Sequence, residues 1–294
     1  MTTHAMHQAL AGAVEAARGA GALMRRNDHT VKKINQQSRH DIKLELDVRC
    51  QKQIERKLLA TLPASAVLGE EGVAGKEGAN LRWVVDPIDG TVNFTYGVPH
   101  ACVSIALQER ENESAEFLTI IGVVYDPFCD ELWSGTRGGP AKLNGRTIRA
   151  SRRSDLGEAI VAIGFAKDAE SLRENLPVFN ALVSRVRKMR MMGAAALSLA
   201  YVASGRFDAY IESGIQLWDI AAAGLILECA GGEFWHQLVD NGPKYRMIAN
   251  NGLLRRKLET IARNARRASK TVPVTVGHRR VGMARKRNKF KIDG

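Results

Sequence analysis

The stretch WVVDPIDGTVNF, from Trp83 to Phe94, runs an apolar strand pattern directly into two aspartates three residues apart. Pro87 stiffens the exit from Asp86, and Asp89-Gly90 is a turn dipeptide, so both carboxylates are expected to emerge together at the carboxyl edge of the strand. An ionised carboxylate in apolar surroundings is costly unless it is paired or coordinates a metal. That makes the end of this strand a place for a cation.

Two further acids stand in similar settings. Glu70 follows a short apolar run in VLGEEG, and Asp219 opens an otherwise apolar helical stretch in LWDIAAAG. Either one taken singly also fits a helix cap or a surface ion pair. Every candidate donor is an oxygen, with no Cys or His nearby, which suits a hard ion such as Mg²⁺ and argues against zinc or iron.

Outward from this point the chain alternates helical and strand patterns. A helix from about His7 to Arg26 precedes DIKLELD, where Ile42, Leu44 and Leu46 alternate with Lys43 and Glu45 at strand period. Asp47 is expected to open a helix that Pro63 stops. Strand patterns follow at RWVVD, ACVSIALQ and FLTIIGVVY, the last two joined as a hairpin through ERENESAE. After about Ala150 come strand AIVAIGF, a long helix near Ala169 to Lys188, MRMMG, a small-residue helix from Ala194, strand FDAYIE and a helix from about Trp218 to Ala230. Strand YRMIA and helix LLRRKLETIARNA close the globular part. Residues 1–150 are read as an α+β subdomain carrying most of the acids, 151–268 as an α/β subdomain completing the site, and 269–294 as a basic tail.

Composition bounds the function class. The 294 residues, 45% apolar, suffice for one large domain or two ordinary ones. No apolar run reaches the roughly 18 residues needed to span a bilayer. Arg25 and Arg26 follow the apolar part of the first thirty residues, which favours an amphipathic first helix over a targeting peptide. Cys50, Cys102, Cys129 and Cys229 form no C-x-x-C pair and read as small buried hydrophobes in a reducing cytoplasm. From Ser269 onward eight basic residues face one acid, so this tail holds +7 of the net +12. Its self-repelling charge, Pro273 and internal glycines point to disorder and to weak attraction for polyanions. The seven histidines, His100 and His236 among them, show no ligand spacing and read as packing or surface residues. RVRKMRMM reads as a solvated face running into a strand, with an arginine available for a dimer contact, and Phe94 and Tyr96 as packing residues behind Thr91.

In order, GEE (Gly69 to Glu71), DPIDGTVNF (Asp86 to Phe94) and WDIAAAGLILECAGG (Trp218 to Gly232) resemble the inositol monophosphatase family of Mg²⁺-dependent, lithium-sensitive phosphatases, over about Leu10 to Ala265. The resemblance implies an α/β (mixed α+β) fold, the layered α-β-α-β-α sandwich shared with fructose-1,6-bisphosphatase, and a homodimer. It implies that Glu70, Asp86 and the Ile88 carbonyl hold one Mg²⁺, that Asp86, Asp89 and Asp219 hold a second, and that a third, weaker ion uses Glu70. Asp47 and Thr91 match positions that orient the attacking water, so Asp47, Glu70 and Thr91 form the implied catalytic set. Gly90 and Thr91 would offer N–H groups to the phosphate. Gly193, Ala194, Ala195 and Glu212 match the substrate wall, which Asp89 and Asp219 border.

Ala194 stands where the animal inositol enzymes usually have Thr, whereas DGTVNF resembles the inositol branch more than the DGT-K-x-F of nucleotide and histidinol phosphatases. Inositol monophosphate is the first expectation. Fructose 1,6-bisphosphate, histidinol phosphate and 3′-phosphoadenosine 5′-phosphate are alternatives. A nucleic-acid or transcription-complex binding protein on the same scaffold is the competing class, supported by Arg255, Arg256, Arg263, Arg266, Arg267 and the tail. Carboxylates at every expected metal position favour an enzyme.

Overall fold

The computed structural model describes residues 1–28, 30, 34–37, 42–165, 169–239 and 242–270. Helix α1 (Thr3–Asn27) starts where the Thr2 hydroxyl accepts the Ala5 N–H, and buries an alanine stripe, Ala9, Ala13, Ala16, Ala17 and Ala20, with Met24. Strands β1 (Ile34–Gln37) and β2 (Ile42–Leu44) pair antiparallel and lead into α2 (Glu45–Thr61). The strand expected to include Leu46 ends at Leu44, because the Leu44 N–H donates to the Asp47 carboxylate at 2.7 Å and caps the helix early. Leu46 therefore reaches the core from a helix.

The chain then builds an eight-stranded sheet from β3 (Ala66–Gly69), β4 (Gly72–Gly75), β5 (Leu81–Asp89), β6 (Cys102–Glu109), β7 (Leu118–Asp126), β8 (Glu131–Thr136), β9 (Lys142–Leu143) and β10 (Arg146–Thr147), with the short helix α3 (Thr91–Thr95) after β5. The order is β10-β9-β8-β7-β6-β5-β3-β4, and only β3 and β5 pair in parallel. The β6–β7 hairpin falls where ERENESAE places it.

A five-stranded sheet, β12-β11-β13-β15-β14, forms from β11 (Ile160–Ile163), β12 (Lys188–Arg190), β13 (Ala209–Ile215), β14 (Glu233–Leu238) and β15 (Tyr245–Asn250). Its helices are α4 (Ala169–Leu182), α5 (Ala195–Ala203), α6 (Leu217–Cys229) and α7 (Arg255–Lys270). Helix α4 ends six residues short of the expected Lys188, since Lys188–Arg190 pair with β11 and the Arg187 N–H donates to the Ala159 carbonyl at 3.0 Å. Helix α7 takes in Ser269 and Lys270, which the sequence pattern assigned to the tail; residues 271–294, and with them the expected disorder, lie outside the described residues.

Five layers result. Helices α1 and α2 cover one face of the large sheet, α5 and α6 lie between the two sheets, and α4 and α7 cover the far face of the smaller one. Three apolar clusters fill the spaces between the layers: one under α1 and α2, one beneath α4 and α7, and one that runs through both sides of the α5–α6 layer. Helix α6 is apolar all round because it has protein on both sides: Ile220 through Leu227 are all buried. It can approach β7 only over Gly122, where a Cβ would stand 2.3 Å from the Ala222 carbonyl oxygen.

Phe94 is buried as expected, but Tyr96 is 73% exposed, because α3 ends at Thr95 and turns it outward. Cys50 and Cys102 are buried and Cys229 is half-buried, whereas Cys129, in the turn before β8, is exposed. His100 packs edge-on to Tyr201 and His236 stacks on Phe234. Among the described residues no helix is long and apolar enough to cross a membrane.

Gly122→Ala is expected to cost about 1–3 kcal/mol by overpacking the α6–β7 contact, read as a lower urea midpoint. An unchanged midpoint would mean that α6 does not press on this strand.

Candidate metal centre and phosphate site

The β5–β6 register slips between Asp86, opposite Ser104, and Asp89, opposite Cys102. This bulge at Pro87-Ile88 re-aims the strand end so that both aspartates face α6. Asp86, Asp89 and Asp219 each offer a carboxylate oxygen within 4.8 Å of the others. Asp86 and Asp89 are 2% and 7% exposed, and Asp219 is half-buried in the first turn of α6. Each is fixed by the backbone: Asp86 Oδ1 accepts the Ile88 N–H at 3.0 Å, and Asp219 Oδ2 accepts the Gln216 N–H at 2.9 Å.

Asp89 does more. Its two oxygens accept the Ala195 and Ala196 N–H groups at 3.0 and 2.7 Å, so it caps α5 from another element; Ala194, the local cap residue, has no side chain to do so. Two residues that the motif reading left without a role complete this corner. The Cys102 thiol donates to Asp89 Oδ2 at 3.5 Å, and the Asn93 amide donates to the His100 and Met192 carbonyls at 2.9 and 2.8 Å. Gly90, at φ 92°, turns the chain into α3, and a Cβ there would meet the His100 oxygen at 2.9 Å and the Ala194 Cβ at 3.2 Å.

The remaining expected residues surround the trio. Glu70 stands just outside it, half-buried after β3, with its N–H on the Val85 carbonyl at 3.1 Å. Gln51, another residue without a sequence signal, braces that turn: its Oε1 accepts the Glu71 N–H at 2.8 Å and its Nε2 donates to the Gly72 carbonyl at 3.2 Å. Asp47 is buried in the first turn of α2. The Thr91 hydroxyl donates to the Ile88 carbonyl at 2.8 Å. Gly193, at φ 76°, packs on the Asn93 amide, Ala194 is 2% exposed and turned toward Gly90, and Ala195 is half-buried at the start of α5. Glu212, on β13, accepts the Tyr210 hydroxyl and lies over Gly164, where any Cβ would overlap its carboxylate.

The electrostatics of the metal-free site are unfavourable. Burial first, then the charges of Glu70, Asp89 and Asp219, push the Asp86 carboxyl well above its ordinary range. Burial and Asp89 do the same to Asp219. Asp89 is raised by burial to about 6, even though backbone N–H groups of α5 oppose the shift. Burial raises Glu212 to about 7. Among the described residues none of the trio has a Lys, Arg or His ion partner. Three converging carboxylates, all oxygen donors, fit a hard divalent cation.

The sequence profile of the inositol monophosphatase family matches residues 5–270. The chain belongs to this family. The Nus factor SuhB of Xylella fastidiosa is 40% identical over 223 residues, 74% of this chain and 78% of that protein. Inositol monophosphatase 1 of Solanum lycopersicum is 35% identical over 234 residues, 77% of this chain and 84% of that one. The extragenic suppressor protein suhB of Bartonella henselae superposes with a TM-score of 0.76 at 33% identity, covering 85% of this chain and 96% of that structure. The family is one of metal-dependent phosphatases, and the aspartate trio is a group able to hold a metal ion.

A carboxyl whose folded pKa is raised keeps its proton in the native state after the unfolded chain has released it, so its contribution to stability falls as pH rises through that interval. The interval runs from 3.8 to about 6 for Asp89 and from 4.5 to about 7 for Glu212. Burial holds the His100 and His236 imidazoles below their ordinary value, and their contribution runs the other way. The difference between metal-loaded and metal-free protein cancels the histidines. The rise in Tm on saturation with Mg²⁺ is therefore expected to grow as pH rises through about 6, where Asp89 gives up its proton and protons cease to compete for the carboxylates. A pH-independent increment would show that the ion binds elsewhere.

Proposed function

We propose that this chain is a Mg²⁺-dependent phosphomonoesterase that hydrolyses inositol monophosphate by direct attack of water. The observation that carries the reading is the trio Asp86, Asp89 and Asp219 within 4.8 Å, two of them buried and the third half-buried, with no cationic side chain among the described residues to neutralise it. Glu70, Asp86 and the Ile88 carbonyl would hold one Mg²⁺, Asp86, Asp89 and Asp219 a second, and Glu70 a third, weaker one. Bound there, Mg²⁺ supplies Lewis-acid stabilisation of charge on the attacking and leaving oxygens.

The side chains supply orientation and proton handling. The Thr91 hydroxyl proton is committed to the Ile88 carbonyl, which leaves its oxygen as an acceptor for one O–H of the attacking water. Asp47, one oxygen of which is engaged by the Leu44 N–H, accepts the proton that the water gives up. The Gly90 and Thr91 N–H groups bind phosphate oxygens. Glu212, steadied by Tyr210, receives a hydroxyl of the polyol. No covalent enzyme intermediate is needed, and the protein works as a homodimer.

A second reading, a Nus factor on the same scaffold, is favoured by the name of the Xylella fastidiosa relative. The two are compatible, since one resides in the carboxylates and the other in the surface.

Phosphate release from inositol 1-phosphate, fructose 1,6-bisphosphate, histidinol phosphate and 3′-phosphoadenosine 5′-phosphate, with and without Mg²⁺, separates the possibilities. Inositol 1-phosphate is expected to lead, and silence on all four would remove the enzymatic reading. Asp89→Asn is expected to lower turnover about a hundredfold or more, equivalent to about 3 kcal/mol of lost transition-state stabilisation. Near-normal turnover at saturating Mg²⁺ would remove Asp89 from the site. Glu212→Gln is expected to raise KM for the polyol phosphate more than it lowers turnover of a small aryl phosphate; equal losses would make Glu212 a member of the catalytic set.

A further inference from the structure

At the end of β11 remote from Glu212 and Gly164, the fold gathers a basic surface from segments far apart in sequence. A cavity of about 330 Å³ opens there, bordered by Arg153, Glu158, Arg187 and Arg206. Two of its arginines are fixed. Arg153 donates to Asp208 Oδ1 at 2.7 Å and to the Gly205 carbonyl at 2.8 Å, and Arg206 is held by both oxygens of Glu131 against the Trp133 and Tyr201 rings. Arg187 is different. Its backbone N–H is tied to the Ala159 carbonyl at 3.0 Å, but its exposed guanidinium has no ion partner among the described residues.

The surroundings extend the same charge. Arg149 and Arg152 are exposed on the segment leading to Arg153, and Arg185 and Lys188 are exposed on either side of Arg187. Helix α7 joins them, since Lys257 donates to the Ser154 carbonyl at 2.8 Å. The opposing exposed acids on these segments are Glu158, at the cavity rim, and Asp155, whose carboxylate accepts the Gly157 N–H at 3.0 Å. The excess of positive charge is therefore not neutralised within the fold.

We propose that this surface binds the phosphodiester backbone of a nucleic acid, with the Arg187 guanidinium taking a phosphate at the cavity. Arginine predominates, and its planar fork matches two oxygens of one phosphate where lysine presents a single point of charge. The surface is concave, which suits a strand entering it better than a flat bilayer. Exposed aromatic side chains are not part of it, so recognition is electrostatic and independent of base sequence. The proposal uses none of the residues assigned to phosphate ester hydrolysis and stands whether or not that activity is found.

The test compares the full chain with the triple variant Arg152→Ser, Arg187→Ser, Lys188→Ser, whose three parent side chains are exposed. Fluorescence anisotropy of a labelled single-stranded RNA is followed over a salt series. Each lost phosphate contact should lower the slope of log affinity against log salt by about 0.7, so the triple variant should show a slope smaller by about 2. Its thermal unfolding and its Mg²⁺-dependent Tm increment should match those of the parent, which establishes that fold and carboxylate site are intact; Arg187→Ser alone, with a slope change of about 0.7, serves if the triple variant unfolds. An unchanged slope in the folded variant would overturn the proposal, as would a loss seen only on neutralising Lys286, Arg287 and Lys289 in the tail. Displacement of RNA by polyglutamate of equal charge at equal concentration, or tighter binding to phosphatidylserine vesicles than to RNA, would overturn the assignment to nucleic acid in favour of an acidic protein or a membrane.

Discussion

The structure depends on withdrawing three carboxylates, the buried Asp86 and Asp89 and the half-buried Asp219, from water close enough to repel one another. Like charges withdrawn from water are held either by taking up protons or by a cation. Without metal the site moves toward the first solution, with proton affinities raised at all three positions. With a divalent ion it adopts the second, and the same arrangement that destabilises the metal-free fold becomes a source of binding energy. Stability given up at such a site is the common signature of function.

The carboxylates are also structural joints. Asp89 belongs to the large sheet yet caps α5, in the layer between the sheets, and Asn93 fastens the turn after β5 to the segment just ahead of α5. Asp219 lies in the first turn of α6, the apolar helix that both sheets enclose. The geometry of the trio is thus set by the packing of the central layer. Gly122 lies on the same path: it sets how closely α6 approaches β7, and α6 carries Asp219. A change in the core can move this carboxylate without touching it.

On β13 polar contacts hold one further acid still. Glu212 is pinned by Tyr210 on its own strand and rests on the bare backbone of Gly164. Asn175 of α4 donates to the Gly164 and Ser213 carbonyls at 3.2 and 3.3 Å, which locks β11 and β13 together at that point. A carboxylate so confined has little freedom left to lose on meeting a hydrogen-bond donor, and burial raises its affinity for a proton.

Much of this was legible in the sequence, because the relevant constraints are local. An apolar strand that ends on Asp-Pro-x-Asp-Gly states its chemistry within a few residues, and helical or strand periodicity places the surrounding elements. Local reading failed where a tertiary contact overrode it: α2 began early because Asp47 turned back to cap it, and α4 stopped short because β11 recruited the next residues. Cys102, Gln51, Asn93 and Tyr210 carried no signal, since each acts by bonding a group distant in sequence or by steadying an acid whose role is itself set by the fold. The basic surface around Arg187 was equally hidden, its charges lying on segments dozens of residues apart. The sequence by itself determined which acids are candidates and that, as oxygen donors, they suit a hard cation, because residue type decides donor chemistry. Only the tertiary structure decided how close they stand, what braces them and which distant charges share a face, because those depend on layers that pack together after the local elements have formed.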